Sequence, residues 1–254
     1  MRKVFIVTER RADFSRFKPI LELINDDEHL NYNLVVTGTH LLDSHGKTIN
    51  EIIEGGFKVF KTVQMFEDDI DRDSGAEMTV ALGRVTMGLV KAIEESKPDI
   101  ILSGFDIGAN LAVSIAGAHM NIPVVHIQGG EVSGTIDESI RHAVSKFSHY
   151  HLVSNNDAKN RLIRMGEIPK HIFVVGCPSI DAMLDVDISS PDEIKKKFNI
   201  DVHKKFFLVL QHPVTTELHN AKKQIKETLK AVKKSGVESI LIYPNNDAGS
   251  QAII

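Results

Sequence analysis

A chain of 254 residues with 42% hydrophobic and 25% charged content is long enough to bury a full core, as one large domain or two smaller ones. Its formal net charge of -4 gives no general attraction to nucleic acid or an anionic membrane, so neither partner is expected. The single cysteine, Cys177, excludes an intrachain disulfide and a cysteine-rich zinc site, and no apolar run approaches the roughly 18 residues of a membrane helix. The apolar run after Met1-Arg2-Lys3 is too short for a signal peptide, so a reducing cytoplasm is the expected location.

In chain order, short β-branched runs alternate with amphipathic stretches, the pattern of a parallel sheet with crossover helices. Strands are predicted over Val4–Thr8, Leu34–Thr37, Ile100–Leu102, Val124–Ile127, His151–Val153 and Phe173–Val175. Helices are predicted over Phe14–Ile24, Lys47–Gly55, Ala76–Glu95, Gly108–His119, Ile136–Phe147 and Asp157–Met165. Lys97-Pro98-Asp99 and Asn121-Ile122-Pro123 supply the punctuation between helix and strand. A second series begins near Ser190-Pro191-Asp192, with strands at Phe206–Leu210 and Ser239–Tyr243 around a lysine-rich helix at Glu217–Lys234. The fold class is α/β, doubly wound. We place a first domain at 1–188 and a partial second domain at 189–254, because two strands make a poor sheet on their own.

In open α/β sheets ligands sit at the carboxyl ends of the strands, where the strand order reverses. After the first strand come Glu9, Arg10, Arg11, Asp13 and Ser15, either an anion site at a helix start or a solvated loop with a cap. Thr37-Gly38-Thr39-His40 follows the second strand and Ser103-Gly104-Phe105-Asp106 the third. Asp106 is placed for a general base or, equally, for a helix cap.

The segment from His126 to His142 is the richest. Alternation puts His126 and Gln128 on one strand face, Gly129-Gly130 allow close backbone approach, and Asp137 and Arg141 fall on one helix face four residues apart. The last two read as active-site groups or as a surface ion pair. His212 ends an apolar strand, where it serves as a proton-transfer group or as a structural histidine. The twelve histidines include His149 and His151 on one strand face but no zinc-binding spacing, so no metal is expected. The Walker pattern and the Gly-x-Gly-x-x-Gly fingerprint are both absent, and no cofactor is expected.

Five separated motifs carry a resemblance. They are Arg11-Ala12-Asp13-Phe14-Ser15, the run from His126 to His142, Cys177-Pro178-Ser179, Gln211-His212-Pro213-Val214-Thr215-Thr216 and Pro244-Asn245-Asn246-Asp247-Ala248-Gly249-Ser250. In this order they resemble the hydrolysing UDP-N-acetylglucosamine 2-epimerases of sialic- and legionaminic-acid pathways. The resemblance implies two Rossmann-like domains of the glycosyltransferase-B kind with a UDP-sugar substrate between them. It also implies a two-step reaction, in which the C2 proton and UDP leave to give a glycal, and water then adds to give a manno-configured sugar.

Residue by residue, the resemblance makes Asp106, Asp137 and His212 catalytic. Arg11 and Ser15 fall near the diphosphate, His40 and Arg141 in the active site, and His126, Ser179 and Asn246 are assigned to substrate binding. Gln128 stands where the sialic-acid enzymes carry a glutamate, so Glu131 shares the role, the substrate differs, or the site is impaired. A UDP-2,4-diacetamido-trideoxy sugar is the alternative substrate; a nucleotide-sugar-binding fragment and a retaining glycosyltransferase are the alternative functions. Family members continue beyond Ile254, so the second domain is expected to be incomplete here, and family habit implies a homodimer or higher homo-oligomer.

Overall fold

The structure is a computed structural model that describes residues 1–67, 74–184, 188–244 and 247–254. The chain divides into two compact units, Met1–Ile70 with Met78–Leu184 and Asp71–Glu77 with Asp185–Ile254.

The first unit alternates strand and helix. Its order is β1 (Arg2–Thr8), α1 (Arg11–Asn25), β2 (Leu30–Thr37), α2 (Ile49–Glu54), β3 (Val59–Val63), α3 (Gly75–Ser96), β4 (Ile100–Gly104), α4 (Gly108–His119), β5 (Val124–Ile127), α5 (Ile136–Phe147), β6 (Tyr150–Val153), α6 (Asn156–Arg164), β7 (Ile172–Val174) and α7 (Pro178–Leu184). The seven strands pair in parallel in the order β3-β2-β1-β4-β5-β6-β7. The order runs outward from β1 in one direction and from β4 in the other, so the reversal lies between these two strands. β3 is a strand that the sequence reading missed. It is an edge strand, with only Val63 buried, and it pairs with β2 through an irregularity at Leu34/Val35.

Alternation along the strands builds two cores. On β1, Val4 and Ile6 face Phe17, Leu21 and Ile24 of α1, while Phe5 and Val7 face Val85 and Leu89 of α3 and Ala109, Ala112 and Val113 of α4. The small residues of α4 let it lie close on the sheet, and a Cβ on Gly117 would come 2.7 Å from both Ile101 and Val124 side chains. The helix starts are capped locally. Thr135 accepts from the Asp137 amide at the head of α5, and Asn155 accepts from the Ala158 amide (2.9 Å) at the head of α6.

The second unit contains α8 (Pro191–Phe198), β8 (Phe206–Leu210), α9 (Ala221–Ser235) and β9 (Glu238–Ile242). Ser190 and Glu193 form a capping box that starts α8, and left-handed Asn199 ends it. The lysine-rich helix begins at Ala221 rather than Glu217, because Leu218–Asn220 first form a tighter 3-10 turn. β8 and β9 pair in parallel as a two-stranded sheet. Leu208, Leu210 and Leu241 stay more than half exposed on it.

Candidate active site

The candidate site lies along the carboxyl ends of the first unit's strands. Beyond β1 the chain turns around buried Asp13, whose carboxylate accepts from the amides of Glu9 (2.7 Å) and Arg10 (2.8 Å) and from the Thr8 hydroxyl (3.1 Å). Burial pushes the Asp13 carboxyl above the usual carboxylate range, and the amide bonds pull against that shift. Since Thr8 Oγ1 gives its proton to Asp13, it accepts from Nε2 of His40 (3.0 Å), and His40 Nδ1 faces the Thr48 hydroxyl at 2.7 Å. His40 is thus the middle of a closed relay. Burial lowers its pKa to about 4. Glu9 spans the reversal point, where its buried carboxylate accepts from the Ala109 amide (2.9 Å) at the start of α4.

Two residues at neighbouring strand ends, Phe105 and Gln128, hold left-handed backbone with φ of 69° and 58°. Neither type favours that region, and such strain persists only where its surroundings enforce it. Here the amide of Phe105 bonds Ile127 O (3.0 Å) and that of Gln128 bonds Leu152 O (2.8 Å), extending the ladder past each strand. The turn at Phe105 releases Asp106 into an ion pair with Arg141. Arg141 is buried, and its second nitrogen donates to Glu131 O and Ser133 Oγ, both at 3.2 Å. Its carboxylate partner Asp106 lies 35 positions earlier in the chain.

His126 supports this arrangement from beneath. It is fully enclosed, with Nε2 donating to Phe105 O (3.0 Å) and Nδ1 beside Ser145 Oγ (3.0 Å), and burial lowers its pKa to about 3. His40 and His126 are both 0% exposed, and both ring nitrogens of each already face protein groups. The expected shared face of His126 and Gln128 is corrected, because strand alternation ends at Ile127 and the left-handed turn redirects Gln128.

The Gln128 amide nitrogen lies 3.2 Å from Cys177 Sγ and 3.5 Å from Ser154 Oγ, and Ser154 donates to the Glu131 carboxylate at 2.7 Å. Gln128, Ser154 and Cys177 follow β5, β6 and β7, so three strand ends converge with Glu131. Gly130 makes that approach possible. Its φ is 79°, and a Cβ there would lie 2.5 Å from Ala158 O.

Of the remaining expected residues, Asp137 is half-buried in the first turn of α5 and Ser179 is half-buried at the start of α7. Arg11 is exposed, with Nε 3.3 Å from Glu51, and exposed Ser15 donates to Ala12 O (2.9 Å). In the second unit, exposed His212 lines a pocket of about 590 Å³ with Gln211, Val214, Lys223 and Thr228 among its walls. Asn246 lies outside the described residues. The sequence reading missed Ser154, and it missed Arg16, whose guanidinium lies 4.7 Å from the Phe105 ring centre. Arg16 sits one residue beyond a segment that reads either as an anion site or as a capped loop, a usable signal; Ser154 carries none. Among the described residues no three His, Cys, Asp or Glu side chains gather as a metal site, and no helix is long and apolar enough to cross a membrane.

A reversed parallel sheet with charged and strained residues gathered at its strand ends defines a doubly wound α/β protein with a candidate site for a polar ligand. Comparison with known proteins gives the particular family. The profile of the UDP-N-acetylglucosamine 2-epimerase family matches residues 22–254. The chain is 37% identical over 253 residues to a UDP-N,N'-diacetylbacillosamine 2-epimerase (hydrolyzing) of Legionella pneumophila, and 36% identical over 254 residues to a UDP-N-acetylglucosamine 2-epimerase of Neisseria meningitidis serogroup B. Each alignment takes in 100% of this chain and 66% of the relative, so the chain spans just under two thirds of their length. The structure of a UDP-GlcNAc 2-epimerase from Neisseria meningitidis bound to UDP-GlcNAc superposes with a TM-score of 0.79 at 19% identity in that alignment, covering 99% of this chain and 68% of that one. The chain belongs to the UDP-N-acetylglucosamine 2-epimerase family.

Proposed function

We propose that the protein is a hydrolysing UDP-sugar 2-epimerase, which converts UDP-N-acetylglucosamine or a UDP-2,4-diacetamido-trideoxy sugar, with water, into the manno-configured sugar and UDP. The observation that carries this reading is the Asp106–Arg141 pair, held by strained Phe105 and enclosed His126 beside Glu131, in a chain 37% identical to a relative named for a hydrolysing reaction on a UDP-diacetamido sugar.

The chemistry asks for a placed base, because the sugar C2–H is a weak acid, and for support of the departing diphosphate. Asp106 and Asp137 are the carboxylates assigned to proton transfer at C2 and at the glycal, with Glu131 supplying the acidic group that Gln128 does not carry. The Arg141 guanidinium fixes Asp106 and holds Glu131 by its backbone, so one cation orders both parts of the acidic cluster. Arg11, Ser15, Ser179 and Asn246 are assigned to the nucleotide end and His212 to proton transfer. His40 and His126 are positioning residues. The first domain is assigned to 1–188 and the second to 189–254, with a cytoplasmic location and a homodimeric or larger assembly.

The test is product analysis. Incubation with either UDP-sugar should release UDP and a reducing manno-configured sugar in equal amounts, seen by phosphorus and proton NMR. Interconversion of two UDP-sugars without UDP release would show a non-hydrolysing epimerase, and binding without any product would show a nucleotide-sugar-binding module.

A further inference from the structure

The Glu131–Ser154–Gln128 chain has a fixed direction. A carboxylate only accepts, so the 2.7 Å contact between Ser154 Oγ and Glu131 Oε1 consumes the serine's one proton. Ser154 Oγ then presents only lone pairs to Gln128, and the group facing it must be the amide nitrogen. The thiol of Cys177, 3.2 Å from the same nitrogen, takes the second N–H. With both N–H groups directed this way, the carbonyl oxygen of Gln128 is turned to the opposite side. There it is buried and has no partner among the described residues, on a residue only 8% exposed. A buried acceptor without a donor is costly, and here it sits on a residue whose backbone is itself strained, at the carboxyl ends of three strands.

We infer that Gln128 Oε1 is a substrate acceptor, kept open by Ser154 to take an N–H or O–H of the sugar, and that Ser154 is the positioning residue for both Gln128 and Glu131. This rests on the UDP-sugar reading above. An amide oxygen only accepts, so its match on a UDP-sugar is a hydroxyl or an acetamido N–H rather than a phosphate oxygen. The glutamine is thereby a recognition group, and the serine passes its one proton to the neighbouring acid. Gln128 fills the place with shape and hydrogen bonding while Glu131 keeps the charge.

The test is calorimetry of the 254-residue chain with UDP, UDP-N-acetylglucosamine and its 2,4-diacetamido analogue, on wild type, Gln128→Met, Ser154→Ala and Ser154→Thr. Gln128→Met keeps the length and removes the acceptor; it should weaken the UDP-sugars about tenfold and leave UDP unchanged. Ser154→Ala should weaken the UDP-sugars by about three- to tenfold, and Ser154→Thr, which keeps the hydroxyl, should restore them. Weakening of the diacetamido sugar alone assigns the donor to its 4-acetamido N–H; weakening of both assigns it to a group they share. Unchanged UDP-sugar affinity in Gln128→Met overturns the inference. A parallel loss of UDP affinity in that variant overturns it as well, because that result marks a structural role. Wild type that binds no UDP carries a different signature and overturns the UDP-sugar reading itself.

Discussion

Replacing His126 with glutamine should make the protein less sensitive to acid while making it less stable at neutral pH. His126 is enclosed and its pKa falls from 6.5 to about 3, chiefly through burial. Between these values the unfolded chain binds a proton that the folded chain refuses, so stability is greatest above pH 6.5 and declines as pH falls towards 3. The slope for one such group is about 1.4 kcal/mol per pH unit, which from pH 7 to pH 5 amounts to about 2 kcal/mol. His40, with a pKa of about 4, adds a similar amount, so the two together cost about 4 kcal/mol over that interval. Glutamine retains an N–H for Phe105 O but loses the ring's second contact, at a cost of about 1–3 kcal/mol at pH 7. Urea unfolding followed by circular dichroism at pH 7 and pH 5 measures the difference. The gap between wild type and His126→Gln should narrow by about 2 kcal/mol on acidification. A gap that stays constant or widens would refute the assignment of His126 as a buried neutral group.

Two further substitutions test the scaffold. Gly130→Ala should destabilise by about 2 kcal/mol or more, because the backbone is left-handed there and the new methyl meets the Ala158 carbonyl; a melting temperature equal to wild type would count against the close approach. Arg141→Met leaves the Asp106 carboxylate and the Glu131 carbonyl without their cation, and should cost about 2–4 kcal/mol, read as a fall of about 4–12 °C in thermal unfolding.

Local punctuation made much of the fold legible. The bounds of α4 and α5 follow from Gly108 and His119, and from Thr135 before an amphipathic run, since short-range propensity decides those ends. β3 was hidden because Val59–Val63 interleaves lysine and threonine on a sheet edge, where only Val63 is buried. The acidic and basic residues of the site were visible as a cluster, but their partners were not. The pairing of Arg141 with Asp106 depends on the turn at Phe105, and the redirection of Gln128 depends on a left-handed backbone that its residue type does not announce. Enclosure of His40 follows from Thr8 and Thr48 closing on it from different segments, a tertiary fact with no local signature.

The central claim is that bond breaking at C1 is coupled to proton loss at C2 beside Asp106. Turnover in deuterated water, followed by NMR of the released sugar, reads this directly. The manno-configured product should carry deuterium at C2, and Asp106→Asn should cut turnover by about a thousandfold while UDP binding holds, as expected when a positioned proton-transfer group is lost. A product with protium at C2, or an Asp106→Asn variant as fast as wild type, would contradict the account.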